Sequence, residues 1–194
     1  MKWAIMYRFF AQKITKAWFL GLFLCIMLIN AGFGYFMSPI IEQSGGKAQI
    51  MDLQFGFKPA DYYTWLDLYG ESGRNTYFWV STILDTIYPI VYTFLFILIL
   101  VALLEYSYPK LVGSLYKWTF APVLILIVDL IENSINARLL LAYPEQIEWL
   151  AKLLSGANQL KWVLVLFVLT ATIIGLLGWY ANGKEAKKEL NKYE

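Results

Sequence analysis

The sequence predicts an all-α protein: a polytopic membrane protein folded as an antiparallel bundle of four transmembrane helices, with a short amphipathic helix in the first outer loop. Three observations lead there. Of the 194 residues, 59% are hydrophobic and 15% charged, whereas soluble domains are about half apolar and a quarter charged. Four apolar stretches, about residues 17–37, 78–104, 118–142 and 160–181, each reach the roughly 20 residues that a helix needs to cross the hydrocarbon core. Trp18, Trp79, Trp118, Trp162 and Trp179 stand near their ends, where amphipathic rings favour the headgroup level. The chain, 1–194, is therefore read as a single membrane domain.

The first span follows Lys2, Arg8, Lys13 and Lys16 as a signal peptide would, but its apolar run is too long and lacks a small-x-small cleavage site, so a retained helix is expected. Residues 2–16, basic and rich in aromatics (Trp3, Tyr7, Phe9, Phe10), suit the surface of an anionic membrane, which makes lipid the first expected partner. An even number of spans puts both termini on one side. The Lys and Arg residues fall more heavily on that side, with Lys47, Lys58, Arg74, Arg138, Lys152 and Lys161 left for the other. The positive-inside rule then predicts an inner-membrane protein with N- and C-termini cytoplasmic and a charged cytoplasmic tail, 182–194.

The outer loop, 38–77, is long enough for structure of its own. In "KPADYYTWLDLYGESG", Pro59 suits a first helical position, Asp61 the first turn and Gly70 a helix stop, with Tyr62, Trp65, Leu66 and Tyr69 at helical spacing. A short helix over the outer surface is expected, either a cap on the bundle or a lid. "AQIMDLQFGF" before it reads as irregular.

The second span carries Asp85, Tyr88, Pro89 and Tyr92 at i, i+3, i+4 and i+7, and the third repeats the spacing with Asp129, Glu132, Asn133 and Asn136. Each set therefore falls on one helix face. At a rise of about 1.5 Å per residue, Asp85 and Glu132 lie level, roughly 14–15 Å from the outer ends of their helices, with Asn30 and Thr170 at similar depth. Arg138 comes out on the opposite side of its helix from this stripe and is expected to snorkel to the interface. Pro89 removes a backbone donor and crowds the Asp85 carbonyl, so a kink is expected beside that acid, and Pro122 is placed to do the same in the third span. Gly21, Gly32, Gly34, Gly175 and Gly178 are read as close-packing positions.

A charge at mid-membrane costs about 2.5–3.5 kcal/mol on insertion scales, so three carboxylates together point beyond packing. Asp85, Asp129 and Glu132 are expected to share protons as a coupled group unless a cation neutralises them. The candidate pocket is Asn30, Asp85, Tyr88, Tyr92, Asp129, Glu132, Asn133 and Asn136, with Pro89 as helix kink and Arg74 and Arg138 as interfacial residues. An all-oxygen set suits a hard cation, an amine or a lipid headgroup rather than zinc or copper.

Several classes are excluded. A net charge of +2, spread toward both ends, leaves no nucleic-acid footprint. The single Cys25 cannot make an intrachain disulfide, and the absence of histidine removes His-based acid–base and nucleophilic catalysis and His-ligated metals. No cofactor and no metal are expected. Four readings stay open: a pocket open to the outer side or the lipid that binds a cation, amine or lipid-like ligand, with proton-coupled transport; an intramembrane carboxylate enzyme, either a lipid isomerase or an aspartic hydrolase; a small subunit of a homo-oligomer or larger complex; and a hydrogen-bonded layer that only sets helix register. The GxGD sequence of intramembrane aspartic proteases is absent, and the similarity to the emopamil-binding enzymes is one of topology, since those use histidines.

The runs "FGF", "LYGESGRNTY", "LDTIYPIVY" and "APVLILIVDLIEN", within residues 53–145, resemble an uncharacterised family of bacterial four-helix integral membrane proteins. Its segments are Y-G-x-x-G-R-x-x-Y, D-x-x-Y-P-x-x-Y and P-x(6)-D-x-x-E-N. The resemblance directs attention to Tyr69, Gly70, Gly73, Arg74, Tyr77, Asp85, Tyr88, Pro89, Tyr92, Pro122, Asp129, Glu132 and Asn133, and implies no activity.

Overall fold

The computed structural model describes residues 2–190, with side chains over 3–182. Residues 191–194 of the expected tail lie outside the described residues. Among those described, every regular element is helical. Helix α1 spans Lys2–Ala11 and α2 Lys16–Gln43, where the Thr15 hydroxyl accepts the Trp18 N–H as N-cap. An irregular stretch with one 3-10 turn, Met51–Leu53, leads to α3, Pro59–Trp79. A π-helical turn, Val80–Leu84, joins α3 to α4, Asp85–Ser107. The single-turn α5, Val112–Leu115, and its flanking 3-10 turns connect to α6, Pro122–Ala142, and then to α7, Glu148–Leu190. Four helical stretches are long and apolar enough to cross a membrane: Lys16–Gln43, Pro59–Ser107, Pro109–Ala142 and Glu148–Asn182.

The outer-loop helix departs most from expectation. Pro59 opens α3 and the Asp61 carboxylate accepts the Lys58 N–H at 3.2 Å. Gly70 breaks the helix with φ +65°, a conformation that favours glycine, but the helix resumes at once. The Leu66 carbonyl near the break accepts from Arg74 Nη1 at 3.0 Å, and the Arg74 guanidinium stacks on the Tyr143 ring. Arg74 is thus a local brace. Tyr62, Tyr63, Leu66 and Tyr69 are buried in a core with Met37, Ile40, Met51, Leu139 and Leu154, so this helix is built into the bundle rather than laid on its surface.

Two further apolar clusters lie along the bundle. Tyr7 and Phe10 of α1 pack with Ile97, Val101, Leu104 and Phe120, and Leu100, Ile125 and Val168 join α4, α6 and α7. The Tyr7 hydroxyl donates to Glu105 at 2.7 Å, and burial together with that carboxylate pushes its pKa up. Helix α4 is central, packed against α2, α6 and α7, and α6 packs most extensively on α7. Helix α2 is peripheral: none of its most apolar window is buried, and it packs on α4, α3 and the π turn without comparable packing on α7. Gly175 meets Leu103 and Gly178 meets Tyr108, as close packing requires, whereas Gly21 and Gly34 face open space. Pro122 starts α6 rather than kinking it, so its missing N–H costs no helical bond.

Candidate functional site

The acidic stripe of α6 is buried as its spacing predicts: Asp129, Glu132, Asn133 and Asn136 are 3%, 0%, 5% and 0% exposed. Its partners are not those the sequence suggests. Lys161 of α7, counted with the outer-side basic residues at the end of the fourth span, is 8% exposed. Its ammonium lies 2.9 Å from Glu132 Oε2, 3.4 Å from Asp52 Oδ1 and 3.5 Å from Asp129 Oδ1. The chain itself therefore supplies a cation to the acids, one positive charge shared among three carboxylates. Glu132 Oε1 accepts from Asn158 Nδ2 at 3.1 Å, and Asp129 Oδ2 accepts the Tyr92 hydroxyl at 2.6 Å. Asp129 Oδ1 and Glu132 Oε2 accept no hydrogen bond of good geometry and are held by charge alone.

Asp52 reaches this layer because the 51–58 segment is strapped onto α7. Trp162 Nε1 donates to the Asp52 carbonyl, the Gly56 N–H to Asn158 Oδ1 at 2.9 Å, and the Phe57 N–H to Ser155 Oγ at 2.8 Å. Gly56 takes φ +75°, a conformation that favours glycine, and packs against the Gln159 side chain, which a Cβ would have to displace. Trp162, expected as an interfacial anchor, is instead a partly buried donor.

Asp85 has different surroundings. It follows the π turn, its own N–H bonding back to the Val80 carbonyl. Pro89 cannot donate to the Asp85 carbonyl, and Asn133 Nδ2 does so instead at 2.6 Å, which explains an amide at that place on α6. The Asp85 side chain is 7% exposed, yet its Oδ2 has no hydrogen-bond partner. Tyr77 Oη, Thr82 Oγ1, Asn133 Oδ1 and Asn136 Nδ2 are likewise buried and unpaired. Asn136 is otherwise held by the Tyr62 hydroxyl at 2.8 Å.

A cavity of about 830 Å³ opens between α2, the 50–53 segment, α4, α6 and α7. Along α2 it runs from Phe23 to Glu42, about 28 Å at 1.5 Å per residue. Toward α1 it is apolar, with Ile26, Leu95, Phe96, Ile125 and Val168; toward the 50–53 segment it meets Asp52, Asp85, Asp129 and Lys161. Because α2 and α7 both line it without packing closely together, the cleft lies between two helices rather than inside one bundle core.

Of the sequence-derived pocket residues, Asn30, Asp85, Tyr88, Tyr92 and Asp129 line this cleft. Glu132 sits behind Lys161, and Asn133 and Asn136 face the π turn and α3. Asn30 is exposed and bonds the Ile26 carbonyl, with Tyr88 Oη at 3.5 Å. Thr170 is exposed and bonds its own helix, so α7 contributes Asn158 and Lys161 in its place. Arg138 is exposed, off the stripe as expected. No direct hydrogen bond joins Asp85 to Asp129. Among the described residues no group of three His, Cys, Asp or Glu is arranged to hold a metal ion. Lys161 and Tyr92 engage Asp129, whereas Asp85, which also lines the cleft, leaves its buried Oδ2 without a hydrogen-bond partner. No protein-family model, no curated protein and no solved structure matches the chain.

Proposed function

We propose that the chain is an antiparallel four-helix protein of the bacterial inner membrane, termini cytoplasmic, whose cleft takes up a lipid-like ligand from the bilayer and presents its polar end to the acidic layer. Transport of that ligand is the role, and membrane lipid is both its surroundings and its source. One observation carries the reading: a largely apolar cleft of about 830 Å³, between helices that do not pack on each other, ends on an unpaired buried carboxyl. Its volume suits a ligand of drug or lipid size. A network serving only helix register would leave neither the void nor the unpaired Asp85. The resemblance of residues 53–145 to bacterial four-helix membrane proteins belongs to the same proposal.

The test fills the cleft without touching its charges. Gly34 lines it and has nothing within 4 Å of an added Cβ. Gly34→Trp, purified in lipid nanodiscs, is expected to fold normally but to lose the lipid-like molecules that wild type retains in native mass spectrometry. Equal retention by both proteins overturns the reading.

A further inference from the structure

Resting on that cleft reading, we propose that the ligand's head is cationic, an alkyl-ammonium or quaternary-ammonium group that pairs with Asp85 and sits against the rings beside it. The cleft is lined by Glu42, Asp52, Asp85 and Asp129 against one cation, Lys161. Lys161 is already shared by Asp52, Asp129 and Glu132, so it has no free approach for an anionic head. Such a head would also meet unscreened carboxylates in a water-poor site, where like charges repel strongly. Asp85 has the opposite need. Its Oδ2 is buried and unpaired, a costly state that a ligand cation relieves.

The aromatic lining independently indicates the same charge. Phe33, Tyr88, Tyr92 and Phe96 form a file along the cleft, each ring meeting the next edge-on or nearly so: Phe33–Tyr88 at 5.8 Å, Tyr88–Tyr92 at 5.3 Å and Tyr92–Phe96 at 6.3 Å. Tyr88 and Tyr92 stand one and two turns from Asp85 on the same helix face. Ring faces attract ammonium groups, most strongly once these are desolvated, and clustered rings are how proteins recognise quaternary ammonium. The apolar continuation past Leu95 and Phe96 toward Val168 accommodates an alkyl body, which distinguishes this ligand from a bare inorganic cation.

Trp162 lines the cleft and reports on occupancy. The probes are three brominated alkyl chains of one length carrying a trimethylammonium, a hydroxyl or a carboxylate head. They are titrated into wild type in nanodiscs while quenching of the Trp162 emission is followed, with Trp162→Phe giving the background. The ammonium probe is expected to bind about tenfold tighter than the alcohol, one decade being about 1.4 kcal/mol, and the carboxylate weakest of all. Asp85→Asn is expected to bring the ammonium probe's affinity down to that of the alcohol. Tyr88→Leu, at a partly exposed position where folding is less at risk, is expected to weaken the ammonium probe about threefold, the size of an exposed cation–π contact, with little change for the alcohol. Equal affinity for all three heads, or a preference for the carboxylate, overturns the cationic assignment and leaves the cleft reading standing. Failure of every probe to quench Trp162, or equal quenching of Trp162 in Gly34→Leu, which fills the cleft without adding an indole, overturns the cleft reading itself.

Discussion

The seam between α6 and α7 and the face where the π turn meets α6 carry similar polar residues at similar depth, yet they treat them in opposite ways. In the seam, Lys161 gathers three carboxylates, and Asn158 and Tyr92 take up the remaining oxygens of Glu132 and Asp129. At the π turn, Asp85, Thr82, Tyr77, Asn133 and Asn136 each leave a buried polar atom unpaired. In the first region the oxygens that lack hydrogen bonds, Asp129 Oδ1 and Glu132 Oε2, still face a counter-charge, so removing Lys161 strands them; the second holds polar capacity that the chain does not itself consume. Depth in the bundle therefore does not decide what an acid does. Its partners decide, and π turns are frequent where a helix must present a group for function rather than for packing.

Substitutions that break or sharpen this contrast rank by expected effect. Lys161→Met strips the shared cation from buried Asp129 and Glu132 and partly buried Asp52 and is expected to cost about 3–5 kcal/mol, read as a fall in the thermal unfolding midpoint in nanodiscs. A neutral result would make the seam no more committed than the π turn. Adding Glu132→Gln to that variant removes one of the stranded charges, so the double variant is expected to recover about 1–2 kcal/mol of the loss in a double-mutant cycle. Tyr62→Phe deletes the one hydrogen bond of the Asn136 side chain and is expected to cost about 1–3 kcal/mol by the same measurement. Asp85→Asn is expected to leave stability unchanged or raise it by about 0.5–1 kcal/mol, since it removes an unpaired buried acid; a loss above about 2 kcal/mol would show that Asp85 is structural after all. Gly34→Trp is expected to change the midpoint least, by the equivalent of about 0.5 kcal/mol or under, while abolishing ligand retention.

Much of this was legible in the sequence because it is local. The stripe Asp129, Glu132, Asn133, Asn136 and its counterpart Asp85, Tyr88, Pro89, Tyr92 follow from helical period alone, and the four apolar runs and the Gly70 break follow from composition and turn chemistry. Lys161 was half legible. Asn158, Lys161, Val165 and Val168 lie on one face at helical spacing, but starting the fourth span at 160 cuts off the turn that shows it, whereas α7 begins at Glu148. Asp52 carried no local signal. It stands in an irregular segment, and its tie to Lys161 spans 109 residues, a pairing that tertiary packing alone creates. The continuity of α3 into α4 was hidden as well, since the polar composition around Gly70 reads as a loop while the buried tyrosines of α3 belong to a core shared with α2, α6 and α7.

The 51–58 strap has a dual attachment. Its Asp52 supplies one of the three counter-charges of Lys161, while Ile50, Asp52 and Leu53 form a wall of the cleft. Any displacement that swings this wall aside also takes an anion from Lys161, and any solute charge that competes for Lys161 loosens the wall. The position of this wall and the ionic balance of the layer are thus coupled, with reciprocity between them set by linkage.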